Sequence, residues 1–189
     1  AMKAGTAVTV VGPGDTLRLG PELNAKVLAP KARNIREYME LVEQAYASAG
    51  QESAVTELLT KLDAMSNRTS TLLRFETAKI VFLSAADSCP REWDELPSSL
   101  LKDGNVLKLP HHGQIDSISE QFMKDMPLEY VITTASSDRR YNSANAEVYK
   151  RLTQWRAPHP PKFLFSDERS YPPYFSQPDG FQAITLEID

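Results

Sequence analysis

The order of apolar and polar positions changes period along the chain. Ala7 to Val11 is a β-branched run that predicts a strand, Gly12-Pro13-Gly14-Asp15 supplies a turn, and Thr16 to Leu19 resumes an extended pattern. Ala25 to Leu28 predicts a second short strand, stopped by Pro30. The period then becomes helical. Ile35, Met39, Leu41, Val42, Ala45 and Tyr46 recur at helical spacing between Ile35 and Ala49, and Gly50 supplies a stop. Ala54 to Met65 places Val55, Leu58, Leu59 and Leu62 on one face. Together they predict a polar-faced helical insertion over about residues 34–66.

From Thr69 strands return. Ser70 to Phe75 and Lys79 to Ser84 flank Glu76-Thr77-Ala78 and predict a hairpin, and Val106 to Leu109 is a short strand closed by Pro110. Ile118 to Met126 predicts a helix and Tyr130 to Thr134 a buried strand. Ala144 to Trp155 carries Val148, Tyr149, Leu152 and Trp155 at helical spacing, and Phe163 to Phe165 and Phe181 to Ile188 predict closing strands. Pro158 to Pro161 reads as a connector. Strands, helices and strands again predict one layered α/β domain over the whole chain, a mixed β-sheet with flanking helices.

Composition narrows the function classes. With 189 residues, 41% of them hydrophobic and 24% charged, the chain has the size and balance of a globular domain with a core. A formal net charge of -4 argues against a nucleic-acid binder acting through a general basic field. Arg139-Arg140 beside Tyr141 is the best local phosphate-contacting candidate, with a solvated loop as its plainer meaning. No apolar run is long enough to span a bilayer and no segment reads as a signal peptide, so a cytoplasmic location without membrane contact is expected. Ala1-Met2 resembles an expression-vector remnant, and the expectation is that the true start of the natural protein is lost. The single cysteine, Cys89, excludes an internal disulfide and is expected to be a semi-buried thiol, since a nucleophile needs a base beside it.

Two places gather chemistry. In Leu107-Lys108-Leu109-Pro110-His111-His112-Gly113 a strand ends at a proline, two imidazoles follow, and a glycine frees the backbone to turn. Neighbours on extended backbone point to opposite sides, so one imidazole is expected to enter a site and the other to pack beside it. The competing reading is a solvent-facing loop. Asp87 ends the apolar strand Ile80 to Ala86, where a carboxylate either meets a metal or caps a turn. Parallel strands joined by a crossover would bring Asp87 and the histidine pair to one rim.

The order Asn67-Arg68-Thr69-Ser70-Thr71-Leu72-Leu73-Arg74-Phe75, then Ile80 to Asp87, then Val106 to Gly113 resembles the second half of metallo-β-lactamase superfamily domains. The closest type is the hydrolase-like domain of bacterial DNA-uptake competence proteins and their stand-alone relatives. The likeness covers roughly residues 6–188 and continues through Tyr130 to Ala135, Arg140-Tyr141 and the helix from Ala144. It implies the second half of an αββα sandwich and metal-dependent hydrolysis of a phosphodiester or related ester. It further implies two divalent ions, zinc or manganese, with Asp87 bridging them and His111 or His112 as the last histidine ligand. Asp87, His111 and His112 are thus the implied catalytic and metal residues, and Ser117 and Tyr141 the implied substrate contacts. Helix capping by Ser117 and packing by Tyr141 are the alternatives.

Several positions depart from the family pattern. Ala86 replaces a glycine, Gln114 a serine, and Asn142-Ser143-Ala144 stands where Gly-His-Pro is usual. The family's His-Xaa-His-Xaa-Asp-His ligand motif does not occur, because no histidine precedes His111 and the remaining one, His159, lies in the connector. Asp87 and one histidine make two ligands where a catalytic zinc normally takes three. The expectation is that the sequence holds the C-terminal portion of a hydrolase, inactive alone, with the N-terminal half of the domain as its missing partner. A degenerate, non-catalytic module for protein interaction is the alternative. The sheet face left open by a half-sandwich leads to an expected homodimer or larger assembly.

Overall fold

The computed structural model describes residues 7–124, 126–135, 140–166, 170–176 and 184–185. Its elements are β1 (Thr16–Arg18), β2 (Asn24–Ala29), α1 (Ala32–Ala47), α2 (Glu52–Ser66), β3 (Leu72–Glu76), β4 (Val81–Ser84), α3 (Pro90–Asp94), β5 (Val106–Lys108), α4 (Glu120–Lys124), β6 (Tyr130–Thr133), α5 (Ala146–Trp155), β7 (Lys162–Phe165), β8 (Ser170–Tyr171) and β9 (Phe175–Ser176). The fold is α/β. Strands β1 to β7 make one mixed sheet in sequence order, and β8 and β9 form a separate small ribbon.

The sheet changes character at β4. Pairings β1–β2, β2–β3 and β3–β4 are antiparallel, whereas β4–β5, β5–β6 and β6–β7 are parallel. Each parallel step moves one strand in the same direction through a crossover carrying one helix. Crossovers of one hand advancing one way leave their helices on one side of the sheet. The core agrees with this. Register aligns Leu83, Leu107, Val131 and Phe163 across four strands, and all four are buried in one cluster with Trp93, Phe122, Met123, Val148, Tyr149 and Leu152 from the helical layer. The opposite face carries Leu73, Phe75, Phe82, Lys108, Ile132 and Leu164, all half-buried, beside Ala25, Val27 and Val106, which are buried.

The predicted helical insertion is α1–α2, a hairpin inserted between the antiparallel neighbours β2 and β3. The β2–β3 ladder carries a bulge between Val27 and Ala29 just before the chain leaves the sheet. Because β3 runs antiparallel to β4, the start of β3 lies beside the end of β4. The hairpin therefore leaves the sheet at the rim where the parallel strands end.

Some predictions are corrected. Ala7 to Val11 has no strand structure, with Val8 and Val10 exposed; β-branched content favours a strand only where a neighbour or a core receives it. The helix expected over Ile118 to Met126 is the single turn and a half of α4. Of the predicted strand Phe181 to Ile188, only Ile184 and Thr185 are described, without regular structure; the rest lies outside the described residues. Among the described residues, no helix is long and apolar enough to cross a membrane.

Candidate metal centre

Strands β4 and β5 are parallel neighbours with Ser84 opposite Lys108, so the loops that follow them leave the sheet side by side. The first loop turns sharply at Ala86, whose φ of 45° is in the left-handed region. Glycine adopts that region without steric cost, whereas the methyl group of an alanine does so under strain. The turn brings Asp87 out at the rim. The second loop is a 3-10 turn over Pro110–Gly113, in which His111 (φ 45°), His112 (φ 53°) and Gly113 (φ 73°) are all left-handed. Consecutive non-glycine residues in that region persist only where surrounding structure holds them.

What holds them is visible on both sides. The Ala86 carbonyl accepts from the His111 backbone N–H at 3.0 Å and from the Lys108 ammonium at 3.0 Å, which locks the two loops together. The His112 and Gly113 carbonyls accept from the backbone N–H groups of Ala144 and Asn145, both at 2.9 Å. The 140–145 segment is in turn anchored by the Tyr171 hydroxyl, which donates to the Ala144 carbonyl at 2.7 Å. Asn145 caps α5 by accepting from the Glu147 N–H at 2.9 Å.

The two imidazoles diverge. His112 Nε2 lies 3.3 Å from Asp87 Oδ1, and its Nδ1 lies 2.5 Å from the Thr134 carbonyl. His111 faces elsewhere: its Nε2 is 3.4 Å from Asn67 Nδ2, and its Nδ1 is 3.6 Å from Asp116 Oδ1. The divergence was expected from extended backbone, but it arises on a left-handed turn. His112 is the ring that meets Asp87.

This geometry fixes a proton. A carbonyl can only accept, so Nδ1 of His112 carries the hydrogen that bonds Thr134. In the neutral ring, Nε2 then presents a lone pair to an anionic oxygen 3.3 Å away. Two acceptors converge stably only with a proton or a cation between them. A carbonyl-anchored imidazole beside a carboxylate is also how metal-ligating histidines are commonly oriented. The Asp87–His112 pair therefore has the donor chemistry of part of a divalent-metal site. It is not a whole one, because among the described residues no group of three or more His, Cys, Asp or Glu could hold a metal.

The remaining candidates separate clearly. Tyr141 is 86% exposed with a φ of 56°, so the packing alternative is corrected: its ring stands free on a loop bonded to the His112 turn. Ser117 is buried, and its hydroxyl has no partner among the described residues. It does not cap α4; Ser119 does, accepting from the Phe122 N–H at 3.2 Å. A hydroxyl so enclosed is poorly placed to touch a substrate at the rim. Cys89 is half-buried, and burial followed by the nearby Glu92 carboxylate pushes its thiol up, as suits an unreactive residue. His159 is exposed in the connector. Arg139 and the Arg140 side chain lie outside the described residues.

Pattern reading missed three contributors. Lys108 reaches from the open sheet face to the Ala86 carbonyl; alternation placed it on a face but gave no length or aim to its side chain. Thr134 contributes through its carbonyl, which no side-chain motif signals. Asn67, which entered only as the first residue of the resembling stretch, lies in a 3-10 turn against His111.

No family model matches this chain, and neither a curated protein nor a solved structure matches it.

Proposed function

We propose that this chain is the C-terminal portion of a metal-dependent hydrolase of the metallo-β-lactamase type, acting on a phosphodiester or related ester once its remaining ligands are supplied. The observation that carries this reading is the approach of Asp87 to a His112 whose proton is committed to Thr134. Asp87 and His112 would hold the ion, zinc or manganese, and His111 would pack behind the loop against Asn67. A divalent ion there supplies Lewis acidity and a nucleophile at neutral pH. The chain's own residues do the positioning. Thr134 orients the imidazole, Lys108 and the His111 N–H fix the Asp87 loop, and Tyr141, which is exposed, would meet a substrate.

Titration of zinc or manganese into the chain, followed by calorimetry, tests this. Two ligands give weak binding, and Asp87→Asn or His112→Gln weakens it about tenfold or more. Binding that ignores both substitutions removes the pair from any metal site. In a polypeptide that also supplies the missing ligands, Asp87→Asn abolishes hydrolysis of bis(p-nitrophenyl) phosphate. Retained turnover there defeats the hydrolase reading even if metal still binds.

A second reading, a non-catalytic interaction module of the same architecture, is favoured by the two-donor count among the described residues. Coding sequence upstream that contains His-Xaa-His-Xaa-Asp-His decides for the hydrolase.

A further inference from the structure

The helical hairpin is built as if something lies along it. In α1 the only buried residue is Asn34, at the base. Its apolar residues Ile35, Met39, Val42 and Tyr46 follow one another at spacings of four, three and four and form a single stripe. That stripe faces outward: Ile35 is 40%, Met39 49% and Tyr46 79% exposed. Beside it an apolar groove of about 690 Å³ runs between the helices, lined by Val42, Ala45, Tyr46, Val55, Leu59 and Leu62. Two helices alone cannot cover such a stripe, and closed bundles do so with further helices.

The charges say which helix fits. Spacings of four and three are those of a coiled-coil seam, with Ile35 and Val42 at d and Met39 and Tyr46 at a. Arg36 and Glu43 then occupy the same flanking position, e, one heptad apart on the exposed side. On the other flank, position g, Ala45 lines the groove against α2. Among the described residues, neither Arg36 nor Glu43 has an ion-pair partner. When a helix meets its own copy antiparallel across a two-fold axis, a faces d and e faces e. Tyr46 then packs on Ile35 of the other copy, Met39 on Val42, and Arg36 comes within reach of Glu43, each contact made twice. A parallel partner would instead set e against g, and within α1 position g holds only Tyr38 and Ala45, which carry no charge. The opposite charges are arranged for self-pairing.

We propose that α1 is a homodimerisation helix, docking antiparallel against α1 of a second copy so that the two hairpins close a four-helix bundle. The docked stripe belongs to the hairpin and is independent of the Asp87–His112 pair.

Sedimentation velocity on the whole chain, from about 1 to 200 µM, tests this by mass action. A monomer–dimer equilibrium is expected. Met39→Glu combined with Tyr46→Glu, at exposed positions that leave folding unaltered by circular dichroism, gives a monomer throughout. Arg36→Glu alone and Glu43→Arg alone each place like charges opposite one another and weaken the dimer about tenfold. The double exchange, Arg36→Glu with Glu43→Arg, restores it. A chain that stays monomeric over the whole range overturns the proposal. So does a dimer indifferent to the Met39 and Tyr46 changes, and so does failure of the double exchange to recover what each single exchange loses.

Discussion

At Ala86 a methyl group sits on a backbone turned to a φ of 45°, and the same carbonyl accepts from both Lys108 and His111. An L-residue with a Cβ pays about 1–2 kcal/mol for that region, partly offset by the extra unfolded-chain entropy of glycine. Ala86→Gly is therefore expected to stabilise the fold by about 0.5 kcal/mol, read as a higher urea midpoint at unchanged slope; a loss of about 1 kcal/mol or more contradicts the strain argument. Lys108 makes the complementary case. Burial holds its ammonium below the ordinary lysine value of 10.5, with Asp87 pulling weakly the other way. A base lowered on folding costs stability while both states are protonated, and the cost fades as pH rises through the folded value toward the unfolded one. Lys108→Met is accordingly expected to be neutral to slightly stabilising at pH 7, because the Ala86 carbonyl keeps its His111 bond, and the advantage closes as pH rises toward 10.5. Paired denaturation curves for the two proteins at both pH values check this, and an advantage that grows with pH refutes it. At this scale the sequence disclosed Asp87 and the histidine pair, because a strand end, a proline and a glycine punctuate the text. It did not disclose which imidazole meets Asp87, since that choice rests on three left-handed angles and a main-chain carbonyl.

Among elements, the hairpin's attachment to the sheet depends on a small polar knot. Glu92 of α3 is 3% exposed. Its Oε2 accepts from Asn34 Nδ2 at 3.0 Å, and its Oε1 accepts from Arg68 Nε at 3.3 Å. Asn34 Nδ2 also donates to the Arg68 carbonyl at 3.0 Å, and the Arg68 guanidinium returns a bond to Asn34 Oδ1 at 3.3 Å. The knot ties the base of α1, the turn after α2 and α3 together, and Arg68 stands next to Asn67, which touches His111. Removing one partner of a buried pair leaves a charge unpaired, so Arg68→Met is expected to cost about 2–3 kcal/mol, below the fully buried range because Arg68 retains some solvent contact. Asn34→Ala costs about 1–3 kcal/mol. Chemical denaturation measures both, and a double variant losing no more than the larger single loss identifies one cooperative unit. Helical spacing alone located α1 and α2, since their apolar positions recur over several turns. It assigned Asn34 no role, because a buried amide is specified by partners far away in sequence. The short α3 was missed for a related reason: five residues starting at Pro90 carry too little periodicity to register, and Trp93 is buried by what packs on it.

For the molecule as a whole, the monotonic strand order has an energetic consequence. Because the parallel crossovers put α3, α4 and α5 on one side, the two sheet faces are unequally covered. Leu107, fully buried in the row Leu83–Leu107–Val131–Phe163, lies under the helical layer. Phe82 lies on the other face in register with Val106, half-buried and stacked on Phe75 at 5.7 Å. Leu107→Ala leaves a cavity among side chains that cannot follow it and is expected to cost about 3–4 kcal/mol. Phe82→Ala removes a larger side chain yet costs only about 1–2 kcal/mol, since much of that ring already meets solvent and no enclosed cavity remains. The ordering reverses what side-chain size alone predicts. Urea denaturation of the two variants at low protein concentration, where association is suppressed, measures it. If Phe82→Ala proves as costly as Leu107→Ala, the second face is covered in solution. If that cost also rises with protein concentration, the cover is another copy of the chain, lying on the sheet and not along α1.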